Sequence, residues 1–276
     1  MKALYFDCFS GISGDMTLGG LIDLGINVNL FKNELAKLNL SGYDVVIEKK
    51  SRYGISGTDV SVVINHTCSG PHPVRNLENI KKIIDQSALN RRIKDFCKKV
   101  FFEITQAEAK VKNKNVNEVH FDEAGALDSI VDIAGTAICI ELLGVQRVFS
   151  SPLHDGSGFI KCEHGILPVP VPAVMEILTG SKIPLITECI TAELVTPIGM
   201  GIIKCLTSDF GNMPAMIVDK IGYGIGKRDT GRLDALKIVM GTLLGGDEAL
   251  EEISFLEANA EDMRPEVLSF MSEAFE

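Results

Sequence analysis

Four stretches of the chain combine residue types that could do chemistry. The first is FDCFSGISGDM, residues 6–16, in which Asp7 ends an apolar run and Ser10, Gly11, Ser13, Gly14 and Asp15 follow before another apolar segment. A strand, a glycine-containing loop and a helix in that order let backbone N–H groups and a helix N-terminus bind an anion. The same residues also suit a tight turn with Ser13 or Asp15 as the helix cap. The loop matches neither a Walker sequence nor a complete GxGxxG.

The second stretch is VHFDEAGALDSIVD, residues 119–132. His120, Asp122 and Glu123 precede a glycine, and Asp128 and Asp132 are four apart, so on a helix they share a face. Apolar Ile130, Val131 and Ile133 surround them, and a carboxylate against apolar surface needs a pair, a hydrogen bond or a metal. A histidine with several carboxylates suits a divalent ion: imidazole fits nickel, and carboxylate oxygens fit magnesium or manganese. The plainer reading makes Asp128 a local cap and leaves Asp132 in solvent.

The third, SPLHDGSGFIKCEHGILPVPVPAVMEIL, places His154, Asp155, Cys162, Glu163 and His164 within eleven residues, at a spacing that matches no standard zinc pattern. The fourth, GYGIGKRDTGRLDA, sets Lys227, Arg228 and Arg232 behind three alternate glycines, an arrangement for a phosphate or carboxylate, or for a solvated hairpin turn. His66 and His72 flank Cys68 in a turn-rich segment and are left outside any core site. No GxSxG elbow, HExxH helix or kinase signature is present.

The elements that must position these residues follow from periodicity and punctuation. A strand over 2–7 leads into the first loop, then a helix stops at Gly25 and a second covers 28–38. YDVVIEKK and TDVSVVIN alternate as two strands joined around Gly54 and Gly57. Residues 65–76 read as a mobile loop. Helices are expected over 76–86, 90–110 and 127–143, and short strands and loops over 146–170. Pro172 and Pro197 each open a helix, the latter capped by Thr196. Strands return near 216–223 and 235–241. The fold class is α/β, with α+β as the alternative: a mixed-sheet domain over 1–247. Residues 248–276 read as a linker with the first strand and helix of a further domain, too small to hold a core alone.

Composition bounds the function. The 276 residues are 46% hydrophobic and 23% charged, with a net charge of −10, so neither a basic nucleic-acid surface nor a nucleic-acid partner is expected. Seven cysteines at irregular spacing, with no CxxC pair, argue for reduced thiols. No signal peptide and no apolar run of membrane-spanning length occur, so a cytoplasmic protein without a membrane partner is expected.

FDCFSGISGDMTLGGLIDLG, VHFDEAGALDSIVDIAG, SPLHDGSGFIKCEHGILPVPVPAVMEIL, ELVTPIGMGIIKCL and GYGIGKRDT, in this order, resemble the LarC family of nickel-insertion proteins from residue 1 to the end. The resemblance implies insertion of Ni(II) into pyridinium-3,5-bisthiocarboxylic acid mononucleotide. The product is the nickel-pincer nucleotide cofactor of lactate racemase and related enzymes. It implies dependence on CTP hydrolysis and on Mn(II) or Mg(II), and so a lyase-type chelatase. Three departures stand out. Family members commonly read HxHE where this chain has His120-Phe121-Asp122-Glu123. A histidine-rich insert found in some members is replaced by NHTCSGPHPVRN. Full-length members continue past residue 276 into a C-terminal domain to which CTP hydrolysis belongs, in some cases as a frameshift product. The runner-up is therefore a non-catalytic nickel chaperone or scaffold for that C-terminal part, and a homo-oligomer is expected.

Side-chain chemistry assigns the expected roles. His120, Glu123 and Asp128 are the delivery and catalytic candidates. Asp132, His164, Asp7 and Asp15 are further metal candidates. Ser10, Gly11, Ser13, Gly14, Lys227 and Arg228 are candidates to receive the anionic mononucleotide.

Overall fold

The computed structural model describes residues 1–64, 75–121, 123–162 and 165–244, apart from the side chains of Glu123, Ala124 and Cys162. Outside the described residues lie 65–74 of the loop expected over 65–76, with His66 and His72, Asp122, Glu163, His164, and the strand and helix expected after residue 248; the last two residues of that loop, Arg75 and Asn76, form a short strand.

Met1–Leu244 form one compact unit. Its strands are β1 (Lys2–Asp7), β2 (Tyr43–Arg52), β3 (Ile55–Ile64), β4 (Arg75–Asn76), β5 (His120–Phe121), β6 (Arg147–Ser150), β7 (Leu153–Asp155), β8 (Gly158–Cys162), β9 (Gly165–Val169), β10 (Leu185–Thr187), β11 (Asp209–Phe210), β12 (Met216–Ile225) and β13 (Ala235–Leu243). Its α-helices are α1 (Gly14–Asp23), α2 (Val28–Leu35), α3 (Leu77–Gln86), α4 (Arg91–Val111), α5 (Glu123–Leu143), α6 (Pro172–Leu178) and α7 (Pro197–Leu206). Seven strands form one mixed sheet in the order β11-β6-β1-β13-β12-β3-β2. β1 runs parallel to β6 and antiparallel to β13, whereas β12 runs parallel to β3. The α/β expectation with a mixed sheet holds.

Helix α1 carries the site loop on its N-terminus and lies against β12, β3 and α5. It approaches the sheet closely because glycines face it: a Cβ on Gly224 would lie 1.8 Å from the Met16 carbonyl oxygen, and one on Gly222 would lie 2.3 Å from that of Gly20. Leu4, Phe6, Leu18, Leu21, Ile130, Ile133 and Ile238 fill the space between sheet and helices, all essentially inaccessible to solvent. Burying such side chains contributes roughly 1.5–3 kcal/mol each, which holds both α1 and α5 against the sheet.

Three boundaries differ from expectation for identifiable reasons. Residues 28–38 divide into α2 and a 3₁₀ turn over Ala36–Leu38, closed by Asn39 in the left-handed conformation. The β2–β3 turn is made by Tyr53 and Gly54, both at positive φ. Gly57 lies inside β3, where a Cβ would meet the Tyr223 carbonyl oxygen at 2.5 Å. Helix α5 begins at Glu123, four residues earlier than periodicity indicated, which puts Asp128 well inside it. The five described cysteine side chains, Cys8, Cys97, Cys139, Cys189 and Cys205, are free thiols. Among the described residues no helix is long and apolar enough to cross a membrane.

Candidate functional site

The loop between β1 and α1 is held by the protein itself. Ile12 N–H donates to the Leu194 carbonyl at 3.0 Å, and Thr196 N–H donates back to the Ile12 carbonyl at 3.0 Å. Gly11 sits at φ +82°, and a Cβ there would lie 2.1 Å from the Leu194 oxygen. Ser13 caps α1: its Oγ accepts from the Met16 N–H at 3.4 Å and donates to the Asp15 carboxylate. Gly14 faces Asp132, whose Oδ2 would lie 2.2 Å from a Cβ at that position. These contacts are those of a tight capped turn. Ser10 differs: its hydroxyl is fully buried and has no hydrogen-bond partner among the described residues. Asp7, at the end of β1, pairs with Lys237, whose Nζ stands 2.6 Å from Oδ2.

Three carboxylates converge where α1 meets α5. Asp15 is the partly exposed member, and Lys227 Nζ stands 2.8 Å from its Oδ2. The same ammonium donates to the Val60 carbonyl at 3.0 Å. Asp128 and Asp132 lie one turn apart on α5, as their spacing required. Burial, reinforced by the Asp15 charge, raises Asp128 above the ordinary carboxylate range, while Lys227 opposes the shift. Asp132 is 3% exposed, and burial, then the Asp128 and Asp15 charges, raise it well above that range. Its Oδ1 has no hydrogen-bond partner among the described residues. Burial works to lower the Lys227 ammonium, but the Asp15, Asp59 and Asp128 carboxylates together outweigh it and hold that group above the usual lysine value. The cluster thus joins a cation to two carboxyl groups that hold their protons unusually firmly, a pairing suited to proton transfer.

A second layer of charge surrounds this cluster. Arg228 Nη2 stands 3.0 Å from Glu193 Oε2, and the Arg228 N–H donates to Asp234 Oδ2 at 2.8 Å. Burial raises Glu193, and the Arg228 charge opposes it. Asp155 is fully buried, and its Oδ1 accepts from the N–H groups of Gly156 (2.7 Å), Leu194 (2.7 Å) and Val195 (3.1 Å). It thereby fixes the segment on which the β1–α1 loop rests. His154 Nδ1 lies 2.6 Å from Glu188 Oε1, and Arg232 Nη1 lies 3.6 Å from Glu188 Oε2.

The structure sorts the sequence candidates. It brings Asp15, Asp128, Asp132 and Lys227 together, with Arg228 adjacent in the chain. His120 is exposed in β5, paired in register with Asn76, and Glu118 is its charged neighbour. Five residues of helix, roughly 7.5 Å at 1.5 Å each, separate Glu123 from Asp128. The Glu123 side chain and His164 lie outside the described residues. The glycines at 222 and 224 belong to β12 and serve helix packing, so of the GYGIGKRDT motif only its end reaches the charged cluster. Glu193, Glu188 and Asp234 were not singled out. Glu193 carries the one local signal, a carboxylate just before the Leu194-Val195-Thr196 cap segment. Among the described residues no group of three or more His, Cys, Asp or Glu side chains is gathered closely enough to hold a metal ion.

Comparison with known proteins agrees with this architecture of motifs. Residues 4–276 match the family model described as nickel insertion protein. The chain is 55% identical to the pyridinium-3,5-bisthiocarboxylic acid mononucleotide nickel insertion protein of Acetivibrio thermocellus, over 100% of this chain and 69% of that relative. It is 46% identical to a putative nickel insertion protein of Dictyoglomus thermophilum, over 99% of this chain and 69% of the relative. It is 41% identical to the pyridinium-3,5-bisthiocarboxylic acid mononucleotide nickel insertion protein of Desulfitobacterium hafniense, over 99% of this chain and 68% of the relative. No solved structure matches it. By both the family model and these relatives, the chain belongs to the nickel insertion protein family.

Proposed function

We propose that this chain inserts Ni(II) into pyridinium-3,5-bisthiocarboxylic acid mononucleotide, forming one nickel–carbon and two nickel–sulfur bonds, with CTP hydrolysis required in the complete protein. The observation that carries the reading is the Asp15–Asp128–Asp132 cluster against Lys227, in a chain whose relatives are named for this reaction.

Forming the nickel–carbon bond releases a proton from the pyridinium ring carbon. A carboxylate with a raised pKa is a stronger base than an ordinary one, and Asp128, partly exposed, is positioned on α5 to take that proton. Burial and the nearby Asp15 charge keep Asp128 basic. Nickel as substrate needs only transient protein ligands, because the sulfur atoms of the mononucleotide are its final soft donors. His120 before α5 and Glu123 at its start, with Asp128 and the outer candidate His164, are the delivery ligands in this reading. Lys227 and Arg228 receive the anionic groups of the mononucleotide, and the Ser10–Gly14 turn holds Asp7 and Asp15 at the rim. Asp15, Asp128 and Asp132 are not gathered closely enough to hold a metal ion by themselves, so a hard divalent ion such as magnesium or manganese would enter with the CTP, whose phosphate oxygens supply donors. Such an ion supplies charge neutralisation for nucleotide phosphates.

The test is turnover of the mononucleotide with nickel and CTP, followed by mass spectrometry of the product, by this chain alone and with the remainder of a full-length relative added. Product that depends on Asp128, and falls about a hundredfold or more in Asp128→Asn, supports the reading. Nickel binding with no product under either condition replaces it with a nickel scaffold, and nucleotide hydrolysis without nickel binding replaces it with a magnesium-dependent hydrolase.

A further inference from the structure

A cavity of about 350 Å³ opens beside the charged cluster, between the end of α4, the β8–β9 hairpin and the starts of α6 and α7. Val111, Ile160, Leu167, Val171 and Pro172 make its walls predominantly apolar, and Glu193 is one of the two carboxylates in its lining. That volume is at the lower end of ligand pockets, about 300–1,000 Å³, so it suits a substituted ring and not a whole mononucleotide. The other carboxylate, Glu108, is neutralised within the lining by Lys112 across 2.8 Å.

Glu193 connects this cavity to the cluster. Its Oε2 is 3.0 Å from Arg228, and Arg228 follows Lys227, the partner of Asp15. Pro197, also in the lining, is two residues beyond Val195, which bridges to Ile12 of the β1–α1 turn. Glu193 and Arg228 thus link the cavity to the edge of the three-carboxylate cluster. An apolar slot with one half-neutralised carboxylate complements a flat aromatic cation, which gains from apolar burial and from the opposing charge together.

We infer that the cavity walled by Val111, Ile160, Leu167, Val171 and Pro172 is the subsite for the pyridinium ring, and that Glu193 selects the ring's positive charge. The inference rests on the nickel-insertion reading for the identity of the ring, and adds where that ring binds and what recognises it.

Nicotinic acid mononucleotide, a pyridinium mononucleotide, serves as a probe that needs neither nickel nor CTP. Isothermal titration of the chain should give one site per chain. Val111 is 43% exposed, so Val111→Trp can fill the slot without disturbing the core, and it should weaken binding about tenfold or more. Glu193→Gln should weaken binding of the probe with its pyridinium ring while leaving unchanged the binding of its dihydropyridine form, whose ring carries no charge. Ile160→Trp, on the hairpin wall, carries the same test if Val111→Trp loses its cooperative melt. Equal binding by wild type and the filled variants overturns the inference, as does equal discrimination of the two probe forms by Glu193→Gln. The two readings fail separately. A chain that makes the nickel product while Val111→Trp binds the probe normally loses the subsite and keeps the function. Probe binding that the fillers abolish, in a chain with no nickel insertion, keeps the subsite and loses the function.

Discussion

Gly14 and Asp132 share one space: a Cβ on Gly14 would lie 2.2 Å from Asp132 Oδ2 and 2.8 Å from Asp132 Cβ. The first residue of α1 thus abuts the most deeply buried carboxylate of α5, and the distance between the two helices at the cluster is set by the absence of one side chain. Gly14→Ala must push α1 from α5 or rotate Asp132. Overpacking of this kind costs about 1–3 kcal/mol. Thermal melting should show the loss, and nickel insertion should fall with it. An unchanged melting temperature would show that the helices have room to separate.

Asp132 should make the protein less stable as pH rises. Its folded pKa lies above the unfolded value of about 3.9, so the folded state binds more protons in between, and stability falls with increasing pH across that window. The penalty is complete above the raised folded pKa. Asp132→Asn removes it, so the variant should melt higher than wild type near neutral pH, with a difference that shrinks toward about pH 4. Melting curves between these limits check the sign. A difference that does not change with pH would place the effect in packing and not in charge. Asp128, Asp15 and Lys227 face the same group, so the wild-type slope reports the cluster as a whole.

Asp155 holds the segment after Glu193 through two backbone N–H groups, those of Leu194 and Val195, and accepts a third from Gly156 beside it. Asp155→Ala leaves all three without that acceptor, and each buried unsatisfied donor costs about 1–3 kcal/mol. Denaturant unfolding should show a loss of about 3 kcal/mol or more, whereas Asp155→Asn, which keeps an acceptor oxygen, should lose less. Because Glu193 directly precedes this segment, Asp155→Ala should also weaken binding of the pyridinium probe. Equal stability of Ala and Asn variants would remove Asp155 as the anchor.

His120 is exposed and outside the core. His120→Ala should leave the melting temperature within about 1–2 °C of wild type, as expected for a surface substitution of under about 0.5 kcal/mol. It should weaken Ni(II) binding by isothermal titration. A nickel affinity equal to wild type takes His120 out of the delivery set.

Much of the scaffold was legible because it depends on short-range rules. Alternation marked β1, β2 and β3; Thr196 and Pro197 marked the start of α7; and the four-residue spacing of Asp128 and Asp132 placed them on one helix face. The order of five motifs was enough to point to the family, since that information is carried by the linear chain. Partnership was not legible in that way. Lys227 meets Asp15 from more than 200 residues away, and Glu193 meets Arg228 across 35. Both pairs exist only because α1 lies against β12 and the β12–β13 turn folds over the β1–α1 loop. The glycines show the same division. In the sequence, Gly11, Gly14, Gly222 and Gly224 read equally well as anion-binding backbone or as turns, because the lack of a side chain permits both. Only the packed structure shows what occupies the space each one leaves: the Leu194 carbonyl, Asp132, and the carbonyls of α1. Residue type determined which chemistry was available to this protein, and the close approach of helix, sheet and loop decided which of those groups act on one another.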